Sequence, residues 1–300
     1  MKTRVWLAAA ALLTLSPVAL AAPLKVAVSI VPEQWLIEQL GGDDVDIMTL
    51  VKPGLEPEDY TPSPRQLAAL SDTALYFSIG VPFEAAWLER IQARAPQMQL
   101  VDLHENLPLR QIEAHHHGHD EEESGHHDDH AGMPDPHVWL DPQLMITMAH
   151  RAANALAEEL PTKAQDIHRR EAALVQALED KTQDIAQQLE PYAGRSFMVY
   201  HPAWGYYADR FHLIQRPIEL NGREPTPRSL SALITQARRD DIHVIFVQEQ
   251  FSQTTAQRLA HSLDAEVATL DPLAEDYLDN LQRITDALVE GFHKSQRETS

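Results

Sequence analysis

Short apolar runs closed by turn residues alternate with helix-period stretches through most of the chain. Runs over residues 24–29, 45–51, 74–78 and 98–102 read as strands, and apolar positions recur at helical spacing over 33–40, 64–70 and 83–93. Strand and helix in turn predict a parallel sheet with right-handed crossovers. After Gly194 the alternation resumes, with strands over 196–200, 213–218, 243–247 and 266–270 and helices over 203–211, 227–239, 254–263 and 274–292. A second parallel sheet follows. Between the halves, residues 161–191 read as one long helix. There Ile167, Leu174, Leu178, Ile185 and Leu189 keep helical spacing, no Gly or Pro interrupts, and Thr162 is the expected N-cap. Roughly 28 residues at 1.5 Å each span about 42 Å, the width of a domain. Such a helix is a stiff connector, so the lobes are expected to move modestly. No repeat of solenoid length is present.

The expected architecture is α/β: two lobes, each a parallel sheet flanked by helices, joined by one long connecting helix. The predicted boundaries are a signal peptide over 1–22, a first lobe over 23–160, the connecting helix over 161–193 and a second lobe over 194–300. At the start, Met1-Lys2-Thr3-Arg4 is basic, residues 5–15 are apolar, and Val18-Ala19-Leu20-Ala21-Ala22 supplies a small-residue cleavage pattern. The apolar run is too short to span a bilayer. Removal of the signal leaves roughly 280 residues, more than one core usually serves. The chain has no cysteine, which rules out a lipid-anchored cysteine, a disulfide and a thiolate metal site. A soluble periplasmic monomer is expected. The formal net charge is -21 with histidines neutral, which argues against nucleic acid as a partner and adds attraction for cations.

Candidate chemistry concentrates in one stretch. Between Glu113 and His130 stand seven histidines (His115, His116, His117, His119, His126, His127 and His130), seven carboxylates, two glycines and one apolar residue, Ala114. Too little apolar surface is available there to offset ordering entropy, so residues 113–134 read as a mobile histidine-rich loop. Imidazole suits zinc, copper and nickel, and several on one tether gather an ion weakly. An engineered tag would sit at a terminus and lack interleaved acids.

Other candidates lie just past predicted strands, where open parallel sheets bind their ligands. His201 follows Phe197-Met198-Val199-Tyr200, Asp271 follows Val267-Ala268-Thr269-Leu270, and each precedes a proline. Glu58 and Asp59 fall in the loop after the second strand, and His137 lies just beyond the histidine-rich loop. Two imidazoles and two carboxylates neutralise a divalent cation and fill a tetrahedral or slightly expanded shell. Taken singly, Asp271 reads equally as a helix N-cap and His201 as a hydrogen-bonded strand-end residue. No HExxH motif is present. Trp87, Trp139, Trp204, Tyr206 and Tyr207 read as packing residues. Glu249 and Arg223 are loop residues that either orient ligands or hold the loops. The remaining histidines read as structural or surface residues.

Pro53-Gly54-Leu55-Glu56-Pro57-Glu58-Asp59-Tyr60, Asp135-Pro136-His137-Val138-Trp139-Leu140, Tyr200-His201-Pro202-Ala203-Trp204 and Thr269-Leu270-Asp271-Pro272, in that order around a histidine-rich loop, resemble the substrate-binding component of zinc and manganese ABC importers, the ZnuA-like group of periplasmic solute-binding proteins. The resemblance implies two lobes joined by a long helix, one metal between them, His137, His201 and Asp271 as ligands, and an ABC permease as partner. One position departs: Glu58 stands where the family has its first-motif histidine. A carboxylate there hardens the shell toward Mn2+ or Fe2+, or a loop histidine takes the missing place. The family's manganese branch usually carries a carboxylate at the position of His201, and the histidine-rich loop is typical of the zinc branch, so Zn2+ is the expected cargo. A secreted zinc metallohydrolase is the reading from another class. The absence of a GxSxG elbow or an evident base motif argues against it.

Overall fold

β1 (Leu24–Val28) and β5 (Ser196–Val199) each sit inside a sheet, and the chain is built twice around such a strand. In the computed structural model the described residues are 22–112, 134–219, 223–248, 250–251 and 253–298. All but the last residue of the predicted signal peptide, the histidine-rich loop except Pro134, and Glu249 lie outside them. Among the described residues no helix is long and apolar enough to cross a membrane.

The first sheet has the order β2-β1-β3-β4, with β2 at Val45–Thr49, β3 at Leu75–Ser78 and β4 at Gln99–Asp102. The second has the order β6-β5-β7-β8, with β6 at Ile214–Pro217, β7 at Val244–Val247 and β8 at Glu266–Thr269. All pairings between these strands are parallel. The central strands β3 and β7 are buried at every position, which is why they read as unbroken apolar runs rather than alternating ones. α1 (Val31–Gly41), α2 (Pro64–Ala69) and α3 (Pro82–Arg94) belong to the first lobe. α6 (Gly205–Arg210), α7 (Pro227–Arg239), α8 (Gln253–Leu263) and α9 (Tyr277–Glu298) belong to the second. Several helices start on a cap followed by proline: Ser63 accepts from the Gln66 amide and Thr226 from the Ser229 amide.

Two expectations are corrected here. α4 (Pro142–Glu159) is absent from the elements that the pattern predicts, although its buried Met145, Met148, Ala152 and Leu156 keep helical spacing. The connecting helix α5 runs over Ala164–Leu189, and its N-cap is Lys163 rather than Thr162. Pro161 to Lys163 form a turn after α4, closed by the Lys163 amide on the Leu160 carbonyl at 2.8 Å. At 26 residues, α5 is about 39 Å long. It links the lobes: Arg170 bonds the Leu40 carbonyl of α1 at 2.6 Å, and toward the other end Gln188 accepts from Gln282 of α9 at 2.9 Å.

The lobes share a core. One apolar cluster runs from Val26, Leu36 and Phe77 through Met148 and Leu178 to Phe197, Val199, Phe246, Ile284 and Leu288. The opposite face of the second sheet, carrying Met198, Tyr200, Ile245 and Val247, forms its own cluster with Leu233 and Leu259. The alternation along β5 divides the two, since successive strand residues point to opposite faces.

Candidate metal centre

His201 is delivered by β5, which ends at Val199, and it lies 4% exposed. His137 comes from the other lobe, immediately before the 3-10 turn Val138–Leu140 that leads into α4, and is 6% exposed. Their Nε2 atoms are 3.3 Å apart. Glu58, in the loop between β2 and α2, brings Oε1 to 3.4 Å from the Nε2 of His201, with its side chain 30% exposed. One ligand atom from each of the three lies within 4.8 Å of the others, an arrangement that could hold a metal ion. Pro57, Val81, Pro82, Trp139, Phe251, Pro272 and Leu273 wall the same cleft.

Each imidazole is held from behind by a buried carboxylate. Asp135 Oδ1 accepts from His137 Nδ1 at 2.7 Å and from the His137 amide at 3.0 Å. Glu219 accepts from His201 Nδ1 in a short hydrogen bond. An Nδ1 proton given to a carboxylate leaves the Nε2 lone pair facing the cleft, the tautomer that a metal needs. Burial pulls the His201 imidazole down, but its bond to Glu219 and the charges of Glu58, Glu219 and Glu56 outweigh this and raise it to about 9. Gln248, just after β7, grips the His201 backbone on both sides, accepting from its amide at 3.4 Å and donating to its carbonyl at 3.2 Å. The Phe251 ring stacks on His201 at 5.1 Å.

Of the four ligands read from the sequence, Glu58, His137 and His201 come together. Asp271 follows β8 as expected, but its carboxylate is outside that group and its Oδ1 accepts from the Leu273 amide at 2.8 Å. Asp59 is exposed. Arg223 is exposed and does not line the cleft. Trp139, Trp204, Tyr206 and Tyr207 are buried, and Trp87 packs partly buried against the core.

Asp135, Glu219, Glu56 and Gln248 are site residues that the sequence reading lacks. Asp135 carries a local signal, an acid two residues before a histidine. Glu219 does not, since 18 residues separate it from His201. Glu56 lines the cleft beside Glu58, and burial raises its carboxyl despite the two imidazoles nearby.

Residues 26–291 match the family model described as zinc-uptake complex component A, periplasmic. The chain belongs to this zinc-uptake family. The zinc-binding protein AdcA of Streptococcus pyogenes serotype M3 is 27% identical over 262 residues, an alignment covering 83% of this chain and 50% of that protein. The chain therefore spans about half the length of the curated relatives of that kind. A putative metal-binding protein of Chlamydia trachomatis serovar D is 26% identical over 265 residues, covering 88% of this chain and 90% of the relative. A crystal structure of a ZnuA deletion mutant with zinc bound superposes with a TM-score of 0.81 at 33% identity, covering 90% of this chain and 98% of that one. Within the zinc-uptake family, the two-lobed fold with its long helix is thus shared.

Proposed function

We propose that the chain captures a divalent cation, Zn2+ first, between its lobes and hands it to the permease of an ABC importer. The carrying observation is a length. Ligand atoms about 2.1 Å from a tetrahedral zinc are about 3.4 Å from one another, and the two distances converging on His201 Nε2 are 3.3 and 3.4 Å. Octahedral manganese or iron is the second reading, favoured by the carboxylate at Glu58. Glu58, His137 and His201 are the assigned ligands, and Asp271 is the fourth, reached if its carboxylate turns off the Leu273 amide. In this reading the signal segment over 1–22 is cleaved, lobes over 23–160 and 194–300 flank the connecting helix, and the protein works as a periplasmic monomer. The histidine-rich loop over 113–134 raises local cation concentration without forming the main site. Family membership disfavours the hydrolase reading.

Competition among zinc, manganese and iron on untagged protein tests this, for wild type, Glu58→His and a deletion of residues 113–130. The expected result is zinc preferred in wild type, a stronger preference in Glu58→His, and one tight site kept in the deletion. Manganese bound more tightly than zinc by wild type would overturn the choice of cargo.

A further inference from the structure

The two imidazoles of the site come from different lobes, so their spacing is set across an interface rather than along a strand. The segment 135–141, which carries His137, is first-lobe chain yet is hydrogen-bonded into the second lobe along its length. The Tyr206 hydroxyl donates to the Asp135 carbonyl at 2.9 Å and accepts from the Arg110 amide at 2.9 Å. Arg210 forks onto both oxygens of Asp141 at 2.8 and 2.7 Å. Between them, Trp139 donates through Nε1 to the Pro272 carbonyl at 2.8 Å, and its own carbonyl accepts from the Tyr277 hydroxyl at 2.6 Å. Tyr206 and Arg210 belong to α6, which starts four residues after His201. The same short helix therefore extends the chain of one imidazole and grips both ends of the segment that bears the other. Bidentate arginine–carboxylate pairs fix geometry as well as proximity.

The loop that carries Glu58 is tied differently. Lys52, Pro53, Gly54 and Leu55 are exposed, Gly54 is left-handed at φ 81°, and the Leu55 and Glu58 amides bond back to Lys52 and Glu56 within the loop. Tyr60 anchors its far end on the Leu50 carbonyl at 2.6 Å, still inside the first lobe.

We propose that α6 is the positioning element of the site: Tyr206 and Arg210 hold His137 against His201 as a standing pair, and Glu58 is the ligand that moves when the cation enters or leaves. The proposal rests on the cation-site reading above. It makes exchange a matter of one loop's backbone, with the Asp271 side chain turning in place and the lobes staying locked. Tyr206 and Arg210 touch no cation and act through His137.

Distances test the moving part. The chain has no cysteine, so nitroxide labels go only where cysteine is introduced. Leu55→Cys with Ile214→Cys reports loop against second lobe, and Leu109→Cys with Ile214→Cys reports lobe against lobe, at side chains 47%, 38% and 38% exposed for Leu55, Leu109 and Ile214. Zinc is expected to shift or narrow the first distance distribution by pulsed electron resonance and to leave the second unchanged. Equal shifts in both would mean that the lobes move as bodies and would overturn the proposal. Positioning is tested by Tyr206→Phe and Arg210→Met, each expected to weaken zinc binding severalfold, less than the ~10–100-fold that loss of a group bonded directly to a metal ligand costs. Both are also expected to move the visible absorption of bound cobalt(II), which reports ligand geometry. Arg216→Met, which removes an ion pair to Asp240 inside the second lobe, controls for lost stability and is expected to keep wild-type affinity and spectrum. Wild-type affinity and spectrum in Tyr206→Phe and Arg210→Met overturn the positioning role. Wild-type affinity in His201→Ala overturns instead the site on which it rests.

Discussion

The two sheets have the same strand order, and their topological switch points, between β1 and β3 in one and between β5 and β7 in the other, are filled in opposite ways. At the first, the protein binds itself. Glu33 accepts from the Ser29 and Ile30 amides at 2.9 and 3.0 Å, and Glu84 accepts from the Ile79 and Gly80 amides at 3.1 and 2.7 Å. Ser29 Oγ, which donates to Glu84, and the Tyr76 hydroxyl close the cluster. At the second, His201 and Gln248 stand past the strand ends, and the imidazole faces the cleft, 3.3 Å from His137 Nε2. Topology supplies a crevice at the carboxyl ends of the strands in both lobes. Which crevice serves a ligand depends on whether the next helix turn returns a carboxylate to fill it. Glu33 and Glu84 do so in the first lobe. In the second, Glu219 reaches only the back of the imidazole.

The largest expected effect separates the two crevices directly. His201→Ala should weaken zinc binding by more than the ~10–100-fold that groups behind a ligand cost, whereas Glu84→Gln should leave affinity near wild type. Calorimetric titration of both variants checks it, and a comparable loss in the two would erase the distinction between a plugged crevice and an open one.

The plug has its own signature in stability. Burial lifts the Glu84 carboxyl to about 7, partly opposed by Ser29 and the amides of Ile79 and Gly80, and burial raises Glu33 well above its ordinary value, with the Glu84 charge adding to it. A carboxyl raised on folding binds its proton more tightly folded than unfolded. Its stabilising contribution is full below about pH 4.5 and is lost as pH rises through about 7. For Glu84 alone that is about 3 kcal/mol. Metal-free protein should therefore lose this stability between about pH 4.5 and 7, and in Glu84→Gln the difference from wild type should vary with pH in that window. Denaturant unfolding in chelator across the range measures it. A pH-independent difference would mean that Glu84 is charged throughout.

A smaller effect is expected behind the imidazole. Glu219→Gln keeps the shape but weakens the hold on His201 Nδ1, and zinc affinity should fall ~10–100-fold. A drop confined to thermal stability, with affinity retained, would make Glu219 a packing residue.

Much of the molecule is legible in its sequence, for physical reasons that differ by region. β3 and β7 show as apolar runs because both of their faces are buried, and His201 can be placed at a strand end by the same kind of run in β5. α4 is missing from the predicted elements even though its buried Met145, Met148, Ala152 and Leu156 keep helical spacing, so the signal was there to be read. The shared core is hidden, because burial between lobes leaves the same apolar pattern as burial within one. In the site, His137 and His201 stand out by residue type, whereas Glu219 and Gln248 are ordinary polar residues until the fold brings them to His201. Glu33 and Glu84 are the same case in the first lobe: each reads as a polar position in a helix's first turn, and only the return of the chain shows a buried acid.

The smallest expected effect concerns Asp271, where cap and ligand compete. Its Oδ1 is engaged by the Leu273 amide at 2.8 Å, and the Asn280 side chain donates to its carbonyl at 2.6 Å. Pro272 and Leu273, the next residues, form part of the cleft wall. To ligate, the carboxylate must release a hydrogen bond whose net worth is about 1 kcal/mol, so part of the coordination gain is offset. Asp271→Asn keeps an oxygen for the turn and removes the charge. Zinc affinity should fall, but by less than in Glu58→Gln, whose carboxylate already stands 3.4 Å from His201 Nε2. Parallel titrations of the two variants decide the ranking. If Asp271→Asn instead costs as much as His201→Ala, the turn opens fully on binding, and β8 then delivers a ligand that holds the cation no less firmly than the imidazole from β5.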